Sequence, residues 1–191
     1  DLNLVDLPKI IDSLNDQVIP NGQIFSLKEK IQEHNITYHE EIIDFVASLL
    51  YSVVLQTNYE IIERHSQQKI PNYLEAGIEA KVDMNSEKDF KFKNINDTPS
   101  ILKVSLKDNA LLVELYSVPN KVKGKYQVLE KEQVTPRTIY RYSTSMDVGE
   151  EELVQEGVPG LKVSVYRTVS DKKGPYESQE LVSTDYYPPT H

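Results

Sequence analysis

Between Glu40 and Gln56 the apolar residues Ile42, Ile43, Val46, Leu49, Leu50, Val53 and Val54 recur at three- and four-residue steps. That spacing gathers them along one face of an α-helix, and such a face must be buried against something. Glu40 and Glu41 fall in the first turn, where the positive end of the helix dipole favours carboxylates. This helix is the strongest element of the chain, and it requires a sheet or further helices to pack on it. Upstream, Leu7–Leu14 has the spacing of a short amphipathic helix and Ile19-Pro-Asn-Gly22 reads as a turn. Ser26-Leu-Lys-Glu29 has capping-box spacing ahead of a helix from Leu27 to about Glu33.

After Asn58 the period changes to that of strands. Tyr59–Arg64, Ile78–Val82 and Asp89-Phe-Lys-Phe-Lys93 each read as a strand, the last with clean alternation. Ser100–Leu106 and Leu111–Tyr116 flank Lys107-Asp-Asn-Ala110, a good hairpin turn. The fold expected for residues 1–120 is therefore an α+β domain, a central helix on an antiparallel sheet. A boundary lies near Ser117–Lys125, where Pro119 and Gly124 break regular structure. Beyond it, residues 121–191 read as a small extended all-β domain. Thr138–Tyr142 and Leu161–Val169 are its clearest strands, and Gly149, Gly157 and Gly160 suit its turns. So short a segment is thin for a core of its own, so it is expected to lean on its neighbour.

Charge divides at the same place. The chain carries net −9; residues 1–120 hold 19 acidic against 11 basic side chains and residues 121–191 hold 11 against 10. No basic stripe is present to neutralise phosphates, which argues against nucleic acid. The absence of Cys excludes thiol catalysis, disulfides and Cys-ligated metals within these residues. The longest nearly uncharged apolar run, Phe45–Leu55, is far short of the roughly 20 residues of a membrane span. No signal peptide is visible at Asp1 and no Met starts the chain, which reads as a mature or trimmed form with any leader or tether outside it.

Several motifs in register resemble the VanW family, named for an accessory protein of vancomycin-resistance clusters. They are Glu63-Arg-His-Ser66, then Tyr73-Leu-Glu-Ala-Gly77-Ile-Glu-Ala-Lys-Val82, then Asp89-Phe-Lys-Phe-Lys-Asn94, with Pro20-Asn-Gly-Gln-Ile-Phe-Ser26 upstream. The resemblance covers roughly residues 15–117. The family usually carries a Cys-Gln pair at the start of the central helix. Anchored on Leu50-Tyr51, Asp44 stands in the Cys position here and Phe45 in the Gln position. An Asp cannot serve as a thiolate nucleophile, so any chemistry that pair supports in relatives is absent. The second half is similar to the G-five module of bacterial surface proteins, through Ile139-Tyr-Arg-Tyr142, Gly149, Gln155-Glu-Gly-Val-Pro-Gly160 and Lys162–Arg167. The two resemblances imply an extracytoplasmic protein of a Gram-positive bacterium, wall- or membrane-tethered, with a module that binds peptidoglycan or cell-wall glycan.

Candidate site residues follow from chemistry. Asp44 and His65, with Glu63 beside them, could form an acid–base pair, but without a nucleophile or metal set they specify no reaction. His34, His39, Glu40, Glu41 and Asp44 have no recognised metal-ligand spacing, so no metal and no cofactor is expected. Tyr140, Tyr142 and Tyr166 could stack on sugar rings; Tyr also suits any half-buried pleated surface. Arg137, Arg141, Lys162 and Arg167 could pair with acidic wall polymers or peptide carboxylates, or simply form the wet face of a strand. Asn35-Ile-Thr37 and Asn96-Asp-Thr98 match the glycosylation pattern, which has little force in a bacterial surface protein, and His191 is terminal. The expectation is a non-enzymatic envelope protein that binds wall glycan through its β domain and scaffolds through its acidic domain. Two alternatives stay open: a peptidoglycan hydrolase or transferase using Asp44 and His65, and a sporulation or germination surface protein that assembles with others.

Overall fold

A computed structural model, describing residues 4–34, 36, 39–108, 110–118, 122–171 and 177–190, places the central helix where the apolar spacing requires it. The acceptor triplet at Asn35, the turn residue Asn109, the break at Pro119 and His191 lie outside the described residues. In chain order the elements are α1 (Leu7–Leu14), β1 (Gln17–Ile19), β2 (Ile24–Ser26), α2 (Leu27–Glu33), α3 (Glu40–Val54), β3 (Glu60–Glu63), β4 (Lys91–Lys93), β5 (Ser100–Lys107), β6 (Ala110–Ser117), β7 (Val122–Val134), β8 (Gly160–Asp171) and β9 (Glu177–Tyr187). The strands form three antiparallel three-stranded sheets, ordered β1-β5-β6, β2-β4-β3 and β7-β8-β9. The N-terminal part is thus helices on antiparallel sheet and the C-terminal part all β, although two small sheets rather than one cover α3.

α3 is buried on more than one side: Ile42, Ile43, Val46, Ala47, Leu50, Tyr51 and Val54 are inaccessible, while Leu49 and Val53 are half-exposed. Phe92 of β4 is the hub of an aromatic ladder. Its ring lies 4.9 Å from Phe25 and 5.9 Å from Tyr59, and Phe90 meets Tyr51 edge-on at 5.8 Å. Ser26 caps α2, accepting from the Glu29 N–H at 3.1 Å while its hydroxyl donates to Asp89 at 2.6 Å. The hairpin between β5 and β6 pairs Lys107 with Ala110, with Asp108 at φ +49° in the left-handed region such a turn requires.

Three segments differ from what alternation predicts. Ile78–Val82 is not a strand. Its backbone is held by helix side chains instead: Ala80 N–H donates to Ser48 Oγ at 2.9 Å and Val82 N–H to Asp44 Oδ1 at 2.9 Å. Asp44 and Ser48 are one turn apart on α3 and so present acceptors at matching intervals. Thr138–Tyr142 is also irregular. It lies between β7 and β8, which pair with each other, and β9 occupies the other side of β8, so no edge of β8 is left for it. Conversely, β7 runs through Gly124, a residue that reads as a breaker. A Cβ there would lie 2.4 Å from the Thr57 carbonyl oxygen, so Gly124 is required by its close approach to the end of α3.

The third sheet packs on the first part of the molecule. Val163 and Val165 of β8 are fully buried, Val165 within the main core and Val163 beside Ala76 and Tyr187. Gly77, at φ +89°, lies under β8; a Cβ on it would sit 2.7 Å from Val165. Because α3 supplies the centre of the shared core, Leu50→Ala is expected to cost about 2–5 kcal/mol in urea denaturation. A loss below that range would place α3 at the periphery.

Candidate functional site

The site is built on the Glu63-Arg64-His65 run at the end of β3. Successive strand side chains point to opposite faces, so Arg64 points away from Glu63 and His65. Glu63 is tied to β4 and the segment just ahead of it: its Oε2 accepts from Lys91 Nζ at 2.9 Å and its Oε1 from the Asp89 N–H at 2.9 Å, and His65 Nε2 lies 2.9 Å from the same Oε1. Partial burial would raise the Glu63 pKa, but Lys91, His65 and the Asp89 N–H outweigh it and hold the carboxyl below its ordinary value.

Arg64 turns inward, its side chain only 6 % exposed. Its Nη1 donates to Asp185 Oδ1 at 2.5 Å, its Nε to the Glu79 carbonyl at 2.8 Å, and its Nη2 lies 3.3 Å from Glu79 Oε1. The guanidinium also covers the Tyr51 ring, 5.0 Å from its centroid. Burial opposes the Arg64 charge, but Tyr51, Asp185 and Glu79 more than offset it and raise its pKa.

Glu79 is completely buried. Its Oε1 accepts from Tyr187 Oη at 2.7 Å and Ser66 Oγ at 2.8 Å, and its Oε2 from the Gly77 N–H at 3.0 Å. Tyr187 Oη accepts in turn from the same Gly77 N–H at 2.6 Å. Burial, and then the hydrogen bond to Glu79, push the Tyr187 phenol far above its ordinary pKa, so it remains a donor. A second anchor lies nearby: Arg167 Nη1 donates to the Tyr59 carbonyl at 2.7 Å and its Nε to Glu180 at 2.6 Å. Arg64 and Glu79 thus face Asp185 and Tyr187 across the junction between the two parts of the chain.

The residues singled out from sequence are distributed as follows. Asp44 is held by the Val82 N–H, with Lys81 Nζ at 3.6 Å, and burial raises its pKa despite both partners. The His65 ring is engaged by Glu63 instead, while its carbonyl accepts from the Lys81 N–H at 2.9 Å. Asp44 and His65 therefore flank Lys81 without a hydrogen bond between their side chains. His39 Nδ1 lies 2.6 Å from Asp6, and His34 Nδ1 lies 2.9 Å from the Lys30 carbonyl. Tyr140 and Tyr142 are 73 % and 94 % exposed, with Arg141 exposed between them. Tyr166 is half-buried and Arg167 is buried in the junction.

Glu79, Asp185 and Tyr187 were not singled out. The available signal was an acidic residue between apolar neighbours, Ile78-Glu79-Ala80.

Residues 43–116 match the VanW like protein family and residues 125–191 match the G5 domain. The chain couples a VanW-like region to a G5 domain. Arg64 and Glu79 belong to the first and Asp185 and Tyr187 to the second, so the buried network joins two family segments. The pairing of these families marks an extracytoplasmic cell-envelope protein, and among the described residues no helix is long and apolar enough to cross a membrane. No curated protein and no solved structure gives a significant match.

Removing Arg64 leaves two carboxylates unpaired in the junction. Arg64→Ala is expected to cost about 3–5 kcal/mol in chemical denaturation, and a cost below about 1 kcal/mol would mean that the carboxylates are solvated. Two other carboxylates impose opposite pH dependences. Above 3.8, its ordinary value, and up to its raised folded value, Asp44 keeps in the folded state a proton that the unfolded chain has released. Stability from this group therefore falls as pH rises through that interval. Glu63 contributes stability above its ordinary 4.5 that is lost as pH falls through its depressed folded value. Unfolding free energies measured against pH should lose the first dependence in Asp44→Asn and the second in Glu63→Gln.

Proposed function

We propose that this VanW-like, G5-containing chain is a non-enzymatic binding protein of a Gram-positive cell envelope. It adsorbs to peptidoglycan or another wall glycan through its G5 domain and scaffolds through its VanW-like region. The observation that carries the reading is the exposure of Tyr140 and Tyr142 on either side of Arg141 in the irregular segment between β7 and β8. Phenol rings stack on the apolar faces of sugars, and a guanidinium pairs with the carboxylates of wall peptides or anionic polymers. Arg167 anchors β8, and with it this part of the chain, to the VanW-like region. The net charge of residues 121–191 is −1, so this part approaches an anionic wall with little repulsion.

The division into residues 1–120 and 121–191 is functional in this reading. The first part is held at the wall by the second through the Arg64–Asp185 and Tyr187–Glu79 contacts. Because the G5 strands share the core of the VanW-like region, the test uses the whole chain. It should cosediment with purified peptidoglycan. A variant with Tyr140, Arg141 and Tyr142 all changed to Ala should bind roughly tenfold more weakly with an unchanged unfolding midpoint. Sedimentation of the unaltered chain no greater than that of a control protein would overturn the proposal.

A further inference from the structure

A cleft of about 320 Å³ opens between β3 of the VanW-like region and β9 of the G5 domain. Ile61, Ile62 and Val182 form its apolar part; Tyr51, Ser183 and Asp185 are among its polar walls. Its size is at the lower end for small-molecule sites and suits one compact polar ligand.

Two features show what this cleft lacks. The first is the Tyr51 hydroxyl. Tyr51 is wholly buried, lines the cleft, and its Oη has no hydrogen-bond partner among the described residues. Ser183 is close enough to influence the phenol without reaching hydrogen-bond geometry. Buried phenols are almost always partnered, because leaving one unsatisfied costs about 1–3 kcal/mol. The second is charge. Among the described residues, the ion pairs of Glu79 and Asp185, both buried, are to the one guanidinium of Arg64, two carboxylates to one cation. Buried charge is normally balanced. Asp185 is the member that reaches the cleft. Its Oδ1 takes Arg64 and its Oδ2 takes the Ser183 hydroxyl at 3.0 Å, so each oxygen retains acceptor capacity.

We propose that the cleft between β3 and β9 binds a small ligand through a primary ammonium group. The ammonium donates to Asp185 and to Tyr51 Oη, balancing the excess carboxylate and satisfying the orphan phenol. The rest of the ligand lies against Ile61, Ile62 and Val182. An ammonium of this kind is carried both by an amino sugar without its acetyl group and by the free amine of a short peptide or amino-acid amide. Of the charged groups lining the cleft, Glu63 and Asp185 are acidic and the one base, Arg64, is already paired to Asp185, so the lining disfavours an anion. The site is separate from Tyr140–Tyr142, and its occupancy does not depend on wall adsorption by that segment. Since its two walls come from different family segments, it exists only while the two are docked.

Backbone amide shifts of the whole chain, titrated with glucosamine and with alaninamide, test this; glucose and N-acetylglucosamine serve as uncharged controls. Saturable shifts at Ser66, Ser183 and Thr184 are expected from at least one amine below about 10 mM, and none from the controls. Which amine binds more tightly distinguishes the sugar source from the peptide source. Tyr51→Phe keeps the ring and removes only the unpartnered hydroxyl, so it should leave the unfolding midpoint no lower while weakening the amine about three- to tenfold. Ser183→Ala, which leaves Asp185 and Tyr51 in place, should retain amine binding. The variant with Tyr140, Arg141 and Tyr142 changed to Ala should bind the amine as the unaltered chain does, whether or not that chain sediments with peptidoglycan. Absence of saturable shifts with both amines, equal binding of the uncharged controls, or unchanged affinity in Tyr51→Phe would overturn the assignment.

Discussion

The guanidinium of Arg64, shared between Glu79 of its own region and Asp185 of the third sheet, is the contact on which the arrangement of the molecule depends. Ion pairs of this kind contribute little net stability, because the desolvation of both partners offsets most of their attraction. Their value is in specificity. A sheet docked in another register or at another angle would leave Glu79 buried without its partners, and an unpaired buried carboxylate costs more than any gain from alternative apolar contacts. Tyr187 adds to this by donating to Glu79 while accepting from Gly77, which fixes the end of β9 as Arg64 fixes Asp185 two residues before it.

Close backbone approach makes that charge network possible. Among the described glycines, Gly77 under β8 and Gly124 against the end of α3 are the two where a side chain would collide with the opposite part of the molecule. With both glycines in place, Val163 and Val165 reach the shared core, and the third sheet needs no separate core of its own. The same docking creates the cleft between β3 and β9, where the Tyr51 phenol has no hydrogen-bond partner among the described residues. Rigidity and an unsatisfied group thus arise from one packing event.

Much of the first half was legible because its determinants are local. The three- and four-residue apolar steps of α3, the Ser26 cap and the Lys107–Ala110 turn each depend on residues within one or two turns of one another. The segments that alternation misread depend on partners far away in the chain. Ile78–Val82 has strand-like alternation, yet Asp44 and Ser48 on α3 take its N–H groups and remove the need for a neighbouring strand. Gly124 reads as a break within β7 because nothing near it in the chain reveals the Thr57 carbonyl above it. Among the candidate residues, Tyr140 and Tyr142 are exposed in the irregular segment between β7 and β8. Arg167, whose charge reads as a partner for acidic wall groups or as part of a wet strand face, is instead drawn into the junction by the Tyr59 carbonyl.

The sequence by itself determined the helical core of the first half, the all-β character of the second, the motifs that place each in its family, and the Asp at position 44 that excludes thiolate chemistry there. Periodicity and residue identity carry that information, because each acts over a few residues. Only the tertiary structure decided that Glu63-Arg64-His65 splits its side chains between two tasks, Glu63 and His65 toward β4 and Arg64 toward Asp185, more than a hundred positions away. The physical reason is that a buried charge chooses its partner by proximity in the folded chain. Proximity between residues 64, 79 and 185 exists only after the third sheet has docked.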